Sequence, residues 1–407
     1  MTPPLPRSFN TLATANLAAQ AAEQVSLAAV PIVAVLALNA GPGQIGLLNT
    51  AQSLPFLLLA IPLGLWADRH SRRRLMAAAE VLRALSLALL LLAVASGRLS
   101  IALLAALGFA GASGTVGFSV AAPALVPALV PRDQLGAANS RLELARSAAF
   151  AAGPALAGAV VSWAGASAAF ALATVLSAAA VVLLLRLPEP ARSVAPARHP
   201  WLELKDGARQ VWQHRLLRPI LLTAVAWNLS WFVLQAAYVP YAMRSLGLSA
   251  SAVGLTLASY GAGMVLGALA APRVLAALPF GRVVVLGPAV SVAAMATMVA
   301  TVVWPSGWLA GAAFFLFGVG PILWTISSTT LRQTVTPTAM LGRVSAIFLT
   351  VNMGARPVGA ALGGLVGEVW GAPACLWLAL GGFGVQALLI FRSPVRGLQQ
   401  LPQPASA

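Results

Sequence analysis

Apolar runs of about 20 residues or more follow one another along this chain, and the short gaps between them hold most of its charge. A helix rising 1.5 Å per residue needs roughly 20 such residues to cross the hydrocarbon core of a bilayer. Breaking the sequence at its Gly, Pro and charge clusters gives twelve spans: 11–38, 44–67, 74–96, 100–128, 141–163, 166–187, 217–243, 250–272, 281–303, 307–331, 343–367 and 371–391. The gap at 188–216 is the long one. Pro188, Pro190, Pro196 and Pro200 come first. Then Trp201, Leu204, Ala208, Val211 and Trp212 recur at helical spacing, with Lys205, Asp206 and Arg209 off that stripe. This pattern predicts a proline-rich linker followed by an amphipathic helix on the membrane surface.

The halves on either side of the linker match. Pro131-Arg-Asp-Gln-Leu135-Gly136 is echoed by Pro337-Thr-Ala-Met-Leu341-Gly342, a displacement of 206 residues. Gly153-Pro154 with Gly158 is echoed loosely by Arg356-Pro357 with Gly359, Gly363 and Gly364. The expected fold is an all-α integral membrane protein of twelve transmembrane helices in two parallel six-helix repeats. Its parts are a bundle over 1–187, the linker over 188–216, a second bundle over 217–393 and a tail over 394–407. Such repeats place a substrate site at the midplane, between the halves.

Composition sharpens the compartment. Of 407 residues, 59% are hydrophobic and 8% charged, whereas soluble domains run near a quarter charged. The net charge of +16, from 25 basic and 9 acidic residues, would suggest nucleic acid in a soluble protein. Here the basic residues sit in the gaps, so they set topology and no nucleic-acid partner is expected. Arg7, the Arg69 to Arg74 cluster, Arg132, Arg141, the run Arg186 to Arg218, Arg273, Arg282, Arg332, Arg343, Arg392 and Arg396 fall on one side, and only Arg98 and Arg244 on the other. Both termini are therefore expected in the cytoplasm of a bacterial inner membrane. Cys375 stands alone in an apolar run, which excludes a disulfide framework. No metal, cofactor or cleaved leader is expected. The histidines, His70, His199 and His214, lie in loops, and no P-loop is present to use ATP, so an enzyme is not expected.

Charge inside a bilayer costs about 2.5–3.5 kcal/mol per residue, so each instance needs a reason. Glu23 lies about 16 Å into the first span. Asn16, Gln20 and Glu23 share a face, with Gln24 beside them. Such a stripe belongs on a cavity, where a buried carboxyl exchanges a proton; the bland alternative is a carboxyl that only bonds neighbouring helices. Arg356 in span eleven either binds an anionic group, pairs with a carboxylate such as Glu23, or is a packing arginine satisfied by carbonyls freed at Pro357. Glu80 and Arg83, three apart in span three, read as an ion pair. Span seven carries Asn228, Trp231, Gln235 and Tyr238 on one face, suited to a bulky amphipathic ligand or to core packing. Trp324 and Ser328 in span ten form a weaker version.

The segment Gly64-Leu-Trp-Ala-Asp68-Arg69-His-Ser-Arg72-Arg73-Arg74 resembles the signature loop between helices two and three of the major facilitator superfamily. Trp66 and Ser71 stand where that family has small residues or Gly. Gly153-Pro154-Ala-Leu-Ala-Gly158 is similar to the motif of the superfamily's proton antiporters. Leu135-Gly-Ala-Ala-Asn139-Ser140 and Leu341-Gly-Arg-Val-Ser345 resemble its enterobactin-exporter and macrolide-efflux branch. The resemblance implies the major facilitator fold and a latch of Gly64, Asp68, Arg69, Arg72 and Arg73 working against the start of span eleven. Two departures accompany it: the second half has only a decayed loop without the acidic residue, and span four lacks an arginine many drug antiporters carry.

The reading is a secondary active transporter exporting a small organic molecule such as a drug, siderophore or metabolite. It would work by alternating access as a monomer, with protons and the lipid bilayer as its other partners. The rivals are an importer or facilitator of a vitamin or metabolite, and a non-transporting receptor or scaffold.

Overall fold

The computed structural model describes residues 5–131, 135–188, 200–337 and 340–402. Within its helices, the side chains at 61, 65, 67–69, 123–124, 127–128, 135–137, 139–140, 143–144, 200–204 and 341–342 lie outside the description. The long helices are α1 (Arg7–Leu38), α2 (Pro42–Arg69), α3 (Arg72–Ala95), α4 (Ile101–Leu129), α5 (Leu135–Leu185), α6 (Pro200–Gln213), α7 (Leu217–Arg244), α8 (Ala250–Ala277), α9 (Phe280–Ala300), α10 (Gly307–Val335), α11 (Leu341–Trp370) and α12 (Ala372–Phe391). Among the described residues no strand occurs, and nine helices are long and apolar enough to cross a membrane.

Helix α5 runs 51 residues but breaks at Gly165, whose φ of 83° and ψ of 174° leave the helical region. Residues 135–164 and 166–185 are therefore two limbs. Gly371, between α11 and α12, has nearly the same geometry, φ 81° and ψ 171°. A side chain is strained at such φ, so glycine suits both corners. These corners stand 206 residues apart. The same displacement carries the bounds of α4, 101 and 129, onto those of α10, 307 and 335. The start of α5 lands on the start of α11. The spacing seen in one short motif thus holds from α4 through the second limb of α5 and from α10 through α12, while α2 and α8 are offset by 208.

Two compact units result. One comprises Met1–Ala40, Thr50–Pro196 and Leu248–Ala258, the other Gly41–Asn49, Ala197–Gly247 and Ser259–Ala407. By packing, then, the first turns of α2 and of α8 lie outside the unit that a linear division at the linker gives them. Glycines explain both. A Cβ at Gly158 on α5 would meet the Ala250 carbonyl oxygen at the start of α8; one at Gly364 on α11 would meet the backbone of Gly46 at the start of α2. Gly158 and Gly364 are again related by 206 residues, so each half uses the same glycine for the same close approach.

The first unit is centred on Phe9, Leu12, Leu75, Met76, Phe118 and Leu184. The second gathers Val211, Leu217, Ile220, Val344, Ile347 and Ile390. Helix α6 is bound into that core by Val211 and lies on the first turns of α11. A Cβ at Gly207 would come within 2.8 Å of the Arg343 carbonyl, and Asp206 pairs with Arg343 at 3.5 Å.

Candidate functional site

Four helices of the first unit converge on Arg83. Small residues allow it: Gly114 on α4 lies against the Ala79 carbonyl of α3, with no room for a Cβ. This brings Thr115 to Arg83, and the guanidinium donates to Thr115 Oγ1 at 2.8 Å and to the Ala19 carbonyl of α1 at 3.0 Å. Glu80 Oε1, one turn away on α3, lies 2.9 Å from Arg83 Nη1. Glu80 Oε2 accepts from Ser177 Oγ, on the second limb of α5, at 2.7 Å. Glu80 is fully buried and Arg83 is 4% exposed. The ion pair expected between them is therefore present, and it belongs to a larger cluster.

Glu23 is its third charged member. Its Oε2 stands 4.0 Å from Arg83 Nη2, and its side chain is 19% exposed, against 0% for that of Glu80. Two carboxylates thus face one guanidinium; Glu80 is fully enclosed with a hydroxyl donor at 2.7 Å, and Glu23 is the one of the two with exposed side-chain surface. Asn16, Gln20 and Gln24 flank it on α1, and their amides have no hydrogen bond within the protein among the described residues. Gln24 packs its stem on Gly153, which leaves no room for a Cβ there. The Gly153-Pro154-Gly158 stretch therefore seats α5 on α1 at one glycine and on the start of α8 at the other.

The second unit holds rings where the first holds charges. Trp231 stacks on Trp227 at 5.2 Å and meets Tyr260, Phe314 and Phe317 at 5.1, 5.9 and 5.2 Å. Tyr238 is wholly buried, edge-on to Phe314 at 4.5 Å, so it serves as core here and not as a cavity wall. Asn228 is also interior; its Oδ1 accepts from Arg356 Nε at 3.2 Å, and Arg356 lies over Phe232 at 5.6 Å. Gln235 is half-buried without a protein hydrogen bond among the described residues. The indole N–H groups of Trp227 and Trp324 are enclosed without a partner among the described residues. Trp324 packs on Gly287, and Ser328 Oγ donates to the Thr325 carbonyl at 3.4 Å. Of the span-seven stripe, Gln235 is the member left partly accessible, as is Trp227 beside it.

In the signature loop, the side chains of Asp68 and Arg69 lie outside the described residues. Their backbone forms the last turn of α2. Around Gly64 there is open space. Ser71, where the family pattern has glycine, caps α3 by accepting from the Arg74 N–H at 3.2 Å. Arg73 donates to the carbonyls of Leu187 at 2.8 Å and Leu185 at 3.4 Å, at the negative end of the second α5 limb. Arg72 is half-buried.

Sequence patterns underrated Arg83 and passed over Thr115 and Ser177. A usable signal existed: two ionisable residues in an apolar span require partners on other helices.

The profile described as Major Facilitator Superfamily matches residues 12–360. An uncharacterized MFS-type transporter, y4rN, from Sinorhizobium fredii is 28% identical over 267 residues, 61% of this chain; the chain spans 63% of that protein's length. The crystal structure of a bacterial homologue of iron transporter ferroportin in the inward-facing state is similar, with a TM-score of 0.77, 17% identity and coverage of 96% and 99% of the two chains. The crystal structure of the nucleoside transporter NupG gives 0.74, 14% and coverage of 95% and 98%.

Proposed function

This chain belongs to the Major Facilitator Superfamily, and on that premise we propose that it exports a small amphipathic organic molecule in exchange for protons. The observation that carries the reading is the asymmetric acid pair around Arg83, with Glu80 locked and Glu23 accessible. In this mechanism, outward opening hydrates Glu23 and lets it take a proton. Inward opening releases the proton to the cytoplasm. Each proton moved inward contributes about 2.3 kcal/mol per 100 mV, which drives the export step.

The substrate end of the reading rests on Trp227, backed by the buried Trp231, with the amide of Gln235, groups suited to a ring system bearing a hydrogen-bonding group. Resemblance of Leu135-Gly136 and Leu341-Gly342 to the enterobactin-exporter and macrolide-efflux branch favours export. We place twelve spans in a bacterial inner membrane with both termini in the cytoplasm, from the sidedness of the arginines. Asp68, Arg69 and Arg72 act as a latch on the same face, while Arg73 holds the end of the second α5 limb.

The test has two steps. Growth of strains lacking or overexpressing the gene, across antibiotics, siderophores and vitamins, identifies a responding compound. That compound is then followed in proteoliposomes with an imposed pH gradient. Gradient-driven export is expected for the wild type, and Glu23→Gln is expected to abolish it while keeping counterflow exchange. Wild-type uphill transport by Glu23→Gln would sink the coupling role.

A further inference from the structure

A groove of about 470 Å³ opens where the end of α6, the start of α7 and the end of α12 meet, away from both clusters described above. Its polar wall carries Arg215, Arg218 and Arg392, all exposed. Its floor is apolar, made by Leu222 one turn into α7 and by Leu388 and Leu389 near the end of α12. None of the chain's nine acidic residues lines it, and the arginines have no carboxylate partner among the described residues. Trp212 holds one of them in place: the Arg218 guanidinium lies 4.5 Å from the centre of its ring.

Three cations above an aliphatic floor at a helix end form an amphipathic receptor. An anion alone would leave the leucines unoccupied, and an alkyl chain alone would leave three guanidiniums without a counter-charge. A phosphate joined to acyl chains satisfies both, with arginine forking onto phosphate oxygens and the chains running along α7 and α12. The helices here are also those of a membrane boundary. Trp212, on the amphipathic α6, is 54% exposed at the level of the arginines, as an interfacial indole is.

We propose that this groove binds the phosphate headgroup of an anionic phospholipid, with Arg215, Arg218 and Arg392 on the phosphate and Leu222, Leu388 and Leu389 against the acyl chains. The site is separate from substrate and proton, and it stands whichever direction the transporter runs. Bound lipid would join α6 to α7 and α12, tying the amphipathic helix to the second unit.

The test is native mass spectrometry of the full chain in detergent, titrated with phosphatidylglycerol, with phosphatidylcholine of the same chains, or with inorganic phosphate. Phosphatidylglycerol is expected to be retained preferentially. The triple variant R215Q/R218Q/R392Q should lower that retention at least tenfold, from a contribution of about fivefold per basic residue at a membrane surface. The triple lysine variant should restore most of the retention, and R273Q/R282Q, outside the groove, should leave it unchanged. Equal retention of the two lipids would overturn the proposal. So would displacement of the lipid by inorganic phosphate at comparable concentration, which would make the site one for free phosphate. A folded triple glutamine variant that still selects phosphatidylglycerol would overturn it as well.

Discussion

Replacing the two acids of the Arg83 cluster one at a time separates coupling from scaffolding. In Glu80→Gln, the buried guanidinium loses the carboxylate at 2.9 Å and keeps one at 4.0 Å that is partly solvated. At an effective dielectric near 20, the Coulomb attraction is about 6 kcal/mol at the first distance and about 4 kcal/mol at the second. Desolvation has already been incurred for Arg83, so breaking the shorter pair is expected to destabilise the first unit by about 3–5 kcal/mol. In Glu23→Gln, Arg83 keeps Glu80, Thr115 and the Ala19 carbonyl, and its charge remains matched one to one. The cost there should be smaller, because the pair broken is the longer and the partly solvated one.

Unfolding in detergent reads the first quantity, and pH-difference infrared spectroscopy of the carboxyl groups reads the second. Glu23→Gln should unfold near the wild-type midpoint and lose the carboxyl band that appears on acidification. Glu80→Gln should unfold well below it while retaining that band. The opposite assignment, with the band lost in Glu80→Gln and kept in Glu23→Gln, would refute the reasoning, as would equal stability of the two variants.

Trp231→Ala removes a side chain in contact with four other rings and should cost about 3–5 kcal/mol in unfolding experiments; Gln235→Ala should leave stability unchanged and raise the KM of an exported compound in vesicles. Gly207→Leu places side-chain atoms against the Arg343 carbonyl; the forced separation of α6 from α11 should cost about 1–3 kcal/mol and increase proteolysis within 200–213. His214 Nδ1 accepts from the N–H groups of Leu216 and Leu217 at 3.2 and 3.3 Å, which requires the neutral ring, and burial lowers its pKa from 6.5. Its stabilising contribution is present above that unfolded value and is lost as pH falls through the lower folded one; His214→Asn, which accepts the same bonds without titrating, should remove that part of the acid dependence of the melting temperature.

Much of this fold is written in the hydropathy of the chain, because a membrane span must be long, apolar and internally hydrogen-bonded. The break expected between 163 and 166 falls at Gly165, and the displacement read from Pro131 and Pro337 relates the helix ends of α4 and α5 to those of α10, α11 and α12. The clusters are less legible. Glu23, Arg83, Thr115 and Ser177 come from four helices, and nothing in a local period says which helix faces another. The same limit explains Tyr238. Helical spacing places it with Asn228, Trp231 and Gln235, but periodicity cannot distinguish a face turned to a cavity from one turned to α10, where Phe314 takes it up. Nor does a linear division anticipate that α2 and α8 begin in the opposite unit, since that depends on where Gly364 and Gly158 let two backbones touch.

The repeat also shows what the two units do not share. Shifted by 206, Glu23, Glu80 and Arg83 become Leu229, Leu286 and Ala289, so the second unit has no counterpart of the charge cluster. In reverse, Phe314 and Phe317 become Gly108 and Gly111, Trp231 becomes Val25, and Phe383, which packs on Phe317, becomes Ser177. Corresponding places on one backbone plan are thus filled by rings in one unit, and by small residues and a buried ionic network in the other. Gly114, the small residue that lies against Arg83, corresponds to Gly320, so that glycine is common to both units, whereas Phe314 and Phe317, at the places of Gly108 and Gly111, give Trp231 its neighbours. On the proposed reading, proton exchange falls to the first unit and the ring-lined contact with a ligand to the second.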